Sequence, residues 1–216
     1  MAVNIANALA EEGLSSYLCA TRKSGVLLKD IDVRVSFFEA KRSGKLGGKG
    51  IYRIYHYIRK ENITHIHAHS SSYFVAGIIK LLNKNLKVFW HDHNGWRINF
   101  PPSKFPFLNY FSKRFSAIIT VNEELKEWSR HNLRNPNIMV LDNFVNSNPA
   151  IHEARRPSQT TKLKMVCLAN LRIEKNHLLL VDLMAALLPK FPNLSLHLLG
   201  SISNQDYYEE ICFRIK

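Results

Sequence analysis

The stretch "ITHIHAHSSSYFVAGIIKLLNKNLKVFW", Ile63 to Trp90, constrains the fold more than any other. Two short apolar runs, "ITHIHAH" and "LKVFW", have strand length and period. Between them "SYFVAGIIKLL" has the length and apolar spacing of a helix. A strand, a helix and a second strand in so short a span make a βα crossover unit. Such a unit joins parallel strands, and a parallel sheet must be covered by helices on its faces.

The same alternation runs on both sides. Val3, Ile5, Ala6, Leu9 and Ala10 give residues 2–12 a helical pattern closed by Gly13. "LSSYLCAT" and "VRVSFFEA" read as strands, and "RSGKLGGKG" as a flexible basic loop. A helix begins at Ile51, with Ile51, Ile54, Tyr55 and Ile58 on one side and Arg53, His56 and Lys60 on the other. Beyond a segment holding Pro101, Pro102 and Pro106, a helix runs through Lys113. "AIITV" is a buried strand, "NEELKEWSRHN" a capped helix and "NIMVLDN" a strand. "VNSNPAIHEARRPSQTT" is polar and aperiodic, and reads as a linker. A second unit follows: strand "KLKMVCLAN", helix "NHLLLVDLMAALLPKF", strand "LSLHLLG" and helix "DYYEEICFRI". The fold class is therefore α/β with mostly parallel sheets.

Composition narrows the partners. The 216 residues are 46% hydrophobic and 22% charged, as in a globular protein. No apolar run approaches the roughly 20 residues of a membrane span, and the start breaks into Glu11-Glu12 without a basic secretory leader. The three cysteines, Cys19, Cys167 and Cys212, are far apart and form no CxxC, which predicts a reduced, cytoplasmic setting. A net charge of +13 predicts an anionic partner. The basic residues are spread and show no nucleic-acid-binding signature, so nucleic acid is not expected. Arg53, Arg59 and Lys60, with Lys41, Arg42, Lys45 and Lys49, would suit peripheral docking on acidic lipid at about 1 kcal/mol per charge, and a solvated surface explains them equally well.

Ligands of parallel sheets sit beyond the carboxyl ends of the strands. The unusual residues fall there: His67 and His69 close one expected strand, His91, Asp92, His93 and Asn94 the next, Asn122 a third and Asn143 a fourth. One reading is zinc. His65, His67 and His69 would share a strand face but span about 13 Å at roughly 3.3 Å per residue, too far for one ion. A site of His69, His93 and Asp92 stays geometrically open, and no metal is assigned. His65 and His67 read as ordinary core or edge histidines. His69 and His93, at the turns, can donate to a sugar hydroxyl or phosphate oxygen. Ser70 opens the hydroxyl run before the helix, where anion binding and helix capping explain it equally. In "ANLRIEKNH", Arg172 and Lys175 precede a helix whose N-terminus is already positive, a placement that suggests a diphosphate ligand.

With those residues in hand, the chain resembles the group 1 (family 4) retaining glycosyltransferases. "VNIANALAEEG" is similar to the helix after the family's opening Gly-rich loop, and "HAHSSSYF" resembles its "HAHS" strand end. "VFWHDHNGWR" resembles the next strand end, "ITVNEELKEW" its "V-S-E" strand and helix, and "VLDNFVN" the segment leading to its hinge. "ANLRIEKNHLLLVDLMAALLPKFPNLSLHLLG" resembles the "GRLxxxKG" start of its donor domain.

The resemblance implies a two-domain Rossmann-like GT-B architecture, truncated at both ends. An N-terminal acceptor-side domain would span 1–147 without its first strand, followed by a linker over 148–161. The start of a nucleotide-sugar-binding domain would span 162–216. It implies transfer of a sugar from a nucleotide-diphosphate donor to a saccharide or lipid-linked acceptor, with retention and without a required metal or other cofactor. By position, His69 would contact the donor sugar, His93 would be a second catalytic cleft residue, and Arg172 and Lys175 would hold the donor diphosphate. Ser70, Asp92, Asn94, Asn122 and Asn143 would complete the cleft. The family's glycine before Arg172 is replaced by Asn170-Leu171, the second glycine after Gly200 is lacking, and the distal paired glutamates are not in the chain. Two other readings follow from these departures and from the histidines: a fragment that binds without turnover, and a metal hydrolase built on the His clusters.

Overall fold

The computed structural model describes residues 1–44, 47–144 and 163–215. Lys45 of the expected basic loop and the expected linker over 148–161 lie outside the described residues. Contacts divide the chain into two units, Met1–Ser147 and Asn148–Lys216.

The first unit opens with helix α1 (Ala2–Glu11) and a parallel pair, β1 (Tyr17–Ala20) and β2 (Ser36–Glu39). Helix α2 (Gly48–Lys60) buries Ile51, Ile54 and Ile58, the face expected from their spacing. A second sheet follows, of β3 (His65–His69), β4 (Lys87–Asp92), β5 (Ala117–Thr120) and β6 (Ile138–Val140), in that order and parallel throughout. Its crossovers are α3 (Tyr73–Leu82), α4 (Pro106–Ser112) and α5 (Glu123–Asn132). β5 is buried at every residue, which explains the continuous apolar run "AIIT".

One face of this sheet carries the main core. Ala68, Val88, Trp90 and Ile118 pack there with Ala76, Leu108, Phe111, Phe115 and Leu133. Each large side chain contributes about 1.5–3 kcal/mol of burial. Helices α3 and α4 meet where a Cβ on Gly77 would run into the Phe111 ring, so that contact requires a residue without a side chain. A mid-helix glycine costs about 1 kcal/mol against alanine, and here the close packing offsets it.

The strand expected from Val33 begins only at Ser36. The Asp32 carboxylate accepts the Arg34 backbone N–H and its guanidinium, each at 2.8 Å, and so closes a turn that leaves Val33 99% exposed. "NIMVLDN" likewise shortens to Ile138–Val140.

The second unit has β7 (Lys164–Leu168), α6 (His177–Leu187), β8 (Ser195–Leu199) and α7 (Gln205–Ile215), with β7 and β8 paired in parallel. Its core is Leu171, Val181, Tyr207 and Ile211, joined by Leu178, Leu198 and Tyr208. Among the described residues no helix is long and apolar enough to cross a membrane.

Candidate active site at the ends of β3 and β4

Strand period and register build the site. His69 lies opposite His91, and His67 opposite Phe89. Alternate residues share a face, so His67, His69, His91 and His93 gather on one side while Ala68, Trp90 and Asp92 point into the core on the other. The four imidazoles stack: ring centroids are 4.4 Å apart for His67–His69, 5.2 Å for His69–His93 and 4.1 Å for His91–His93. His69 Nδ1 and His93 Nε2 are hydrogen-bonded at 2.9 Å, which requires one ring to donate and the other to accept. His93 also hydrogen-bonds the Asn143 side chain.

Burial, reinforced by the neighbouring rings, keeps these imidazoles neutral. His67 is pushed down to about 4, His69 to about 3 and His91 to about 4, and His93 is lowered too. For His93 the Asn143 hydrogen bond opposes that shift. His91 is fully buried, and its contact with the Leu141 backbone opposes its shift; His67 Nε2 is buried without a hydrogen bond.

The turn after β3 is held from below. Ser70 has a left-handed backbone (φ 48°), uncommon for a residue with a side chain, and its carbonyl accepts the Trp90 indole N–H at 2.8 Å. No serine hydroxyl caps the 3-10 turn Ser70–Ser72 or helix α3. Capping, one of the two explanations for "SSS", is thereby removed.

The other strand-end residues divide by which side of the sheet they face. Asp92, expected in the cleft, is instead fully buried beneath it. Its carboxylate takes Arg97 Nε at 2.6 Å and Nη2 at 3.3 Å, and also the Asn94 backbone N–H at 3.1 Å. The reason is parity: Asp92 is one residue from each of two histidines on the opposite face. Arg97 was missed in the sequence. It is 2% exposed, and its guanidinium lies 4.4 Å from the Phe105 ring centroid and within 6.0 Å of Trp90, Trp96 and Trp128. The signal was present in "DHNGWRINF", an acid and an arginine separated by a turn among aromatic residues. Asn94 leads into the 3-10 turn Gly95–Asn99 and makes no side-chain cap. Asn122 is committed to its own helix, accepting the Leu125 N–H at 2.9 Å.

In the second unit Arg172 and Lys175 bracket the 3-10 turn Ile173–Lys175. Both are exposed and make no side-chain hydrogen bond or ion pair among the described residues. Asn176 adopts the left-handed conformation (φ 49°) that glycine most readily supplies. Buried Leu171 on one side and the His177 N–H donating to Tyr207 Oη at 2.8 Å on the other fix the turn. Separately, a cavity of about 810 Å³ opens where β1 and β2 end, lined by Arg22, Lys23, Ser24, Glu39, Lys41 and Arg42 among others.

Residues 1–148 match the profile of Glycosyltransferase Family 4. The chain belongs to that family. The fold of this family 4 chain is that of the GT-B glycosyltransferases. It resembles a glycosyltransferase from Rickettsia africae at 18% identity and a TM-score of 0.73, covering 99% of this chain and 60% of that one. It also resembles Anabaena HepE, solved with UDP and glucose, at 16% identity and a TM-score of 0.74, again covering 99% of this chain and 60% of the other. The family 4 chain thus spans about 60% of the length of these structures. None of the curated proteins matches it.

Proposed function

We propose that this family 4 chain serves transfer of a sugar, with retention, from a nucleotide-diphosphate sugar to a saccharide or lipid-linked acceptor in cell-envelope glycan synthesis. The observation that carries the reading is the hydrogen-bonded His69–His93 pair at adjacent strand ends, beside the uncommitted hydroxyls of Ser70–Ser72. HepE was solved with UDP and glucose, which favours a uridine donor.

The residues supply distinct parts of the chemistry. Neutral His69, with Nδ1 tied to His93, keeps Nε2 for a sugar hydroxyl near a reacting anomeric carbon, and His93, bonded to His69 and Asn143, fixes that ring in place. Arg172 and Lys175 neutralise the diphosphate that leaves as the glycosidic C–O bond breaks. The acceptor oxygen attacks from the leaving-group side and passes its proton to the departing diphosphate oxygen as the new bond forms. No carboxylate pair and no metal is required. The basic cavity at the ends of β1 and β2 suits the phosphates of a lipid-linked acceptor, which favours peripheral contact with the inner face of a membrane.

Calorimetric titration with UDP, GDP and ADP, in EDTA buffer, tests the donor half of the reading. Binding that weakens at least about tenfold in Arg172→Ala is expected, the loss of one charge-assisted contact. Absence of binding by all three nucleotides would overturn a donor site on this chain. With donor and acceptor supplied, His69→Ala should lower kcat while leaving nucleotide affinity unchanged.

A further inference from the structure

The zinc reading failed on distance when its ligands were sought along one strand. The register changes the ligand set, because His91 enters from the neighbouring strand opposite His69. One nitrogen each from His67, His69 and His91 lies within 4.8 Å of the others. Tetrahedral zinc with bonds of about 2.0–2.1 Å needs its nitrogens about 3.4 Å apart. The stacked rings must rotate to turn the three nitrogens onto one ion. Two further observations point to a missing ligand rather than to packing. His67 Nε2 is buried without a hydrogen-bond partner, and fully buried His91 has only the Leu141 backbone for its two nitrogens, an arrangement that costs free energy unless something binds there. His69 Nδ1 is engaged by His93, which leaves Nε2 for an ion and gives His69 the outer partner that metal-bound histidines ordinarily have.

We propose that His67, His69 and His91 form a binding site for a borderline divalent transition-metal ion, zinc above all, with a fourth position open to water or a ligand oxygen. The donor set is all imidazole, since the nearest carboxylate, Asp92, is turned to the other face and held by Arg97. Such a set selects Zn²⁺, Ni²⁺ or Cu²⁺ over Mg²⁺ and Ca²⁺, which need oxygen ligands. The ion is no participant in the transfer chemistry. If His69 contacts the donor sugar, as the function proposed above has it, ion and donor compete for one imidazole, and metal occupancy switches transfer off.

The test uses the full chain stripped of metal with EDTA and exchanged into chelator-free buffer. Titration with ZnCl₂ by calorimetry should show one equivalent bound at micromolar affinity, and CoCl₂ should give the visible spectrum of a tetrahedral nitrogen site without thiolate bands. His67→Gln and His91→Gln should each weaken binding by about tenfold or more, while His131→Ala on the α5 surface and addition of Mg²⁺ should change nothing. His91→Gln alters the core, so His67→Gln is the deciding variant, its folding checked by tryptophan emission. Unchanged zinc affinity in folded His67→Gln, no saturable binding by wild type, or thiolate bands with cobalt would each overturn the site. Nucleotide binding in EDTA is scored separately, so loss of one assignment leaves the other standing.

Discussion

The two units use the same βα grammar to different depths. In the first, β5 is buried on both faces and the turn beneath the histidines is tied to the core through Trp90 and through Asp92–Arg97. In the second, no strand residue is fully buried, and half-buried positions are mixed with exposed ones, leaving Val166 at 62% and Leu168 at 83% exposure. Its proposed phosphate residues stand on an exposed turn whose anchors are Leu171 and the His177–Tyr207 hydrogen bond. The first unit therefore holds its functional groups in fixed positions by desolvated contacts. The second offers cations whose geometry is set mainly by backbone conformation at Asn176.

That contrast can be broken most decisively at Arg97. Removing it strands the Asp92 carboxylate in the core, and Arg97→Ala should destabilise the first unit by about 3–5 kcal/mol. Urea denaturation followed by tryptophan emission reads this unit alone, since Trp90, Trp96 and Trp128 all lie within it. A loss below about 1 kcal/mol, the scale of exposed pairs, would show that the pair is not desolvated as described.

Acid should act next, and on the same unit. The folded imidazoles of His67, His69 and His91 lie near 4, 3 and 4, against 6.5 when unfolded. The unfolded chain therefore takes up protons first. Stability is full above pH 6.5 and falls as pH drops from there through about 4, whereas groups with raised values would lose stability on the opposite side. Urea midpoints in chelator-free buffer should fall steadily over that window, and a flat profile would mean the rings are solvated.

Arg172→Ala should show the converse pattern, with unchanged denaturation and a nucleotide affinity lowered by about 1.5–3 kcal/mol. A stability change of similar size would instead mark Arg172 as structural. The smallest effects sharpen the comparison. Trp90→Phe removes the hydrogen bond to Ser70 and Tyr207→Phe the one to His177, each worth about 1 kcal/mol. Trp90→Phe should also lower activity by loosening the turn after His69. Tyr207→Phe should weaken nucleotide binding with little change in the first unit's unfolding.

Periodicity was enough to find the main strands and helices, because burial on a two- or 3.6-residue period is written directly in residue type. Strand ends were harder. Val33 has strand character, yet Asp32 forms a local turn that competes with it. The sites were legible one strand at a time and not across strands. His67 looked structural because the pairing of His69 with His91 is a tertiary fact that no single run displays. Asp92 looked like a cleft residue because adjacency in sequence hides that successive side chains leave a strand on opposite faces. Asn176 was likewise opaque: its role is a backbone angle, and asparagine is one of the few residues able to replace glycine there.

The alternation at the ends of β3 and β4 has a consequence for descent. A substitution at Ile66 or Ala68 changes packing by degrees, but inserting or deleting one residue within "HIHAH" would turn the imidazoles into the core and the core residues outward. Lineages can therefore drift to 16–18% identity with the fold intact, provided length changes fall in the connecting loops. What inheritance must preserve across these two strands is an odd count of residues between histidines more than the residues between them.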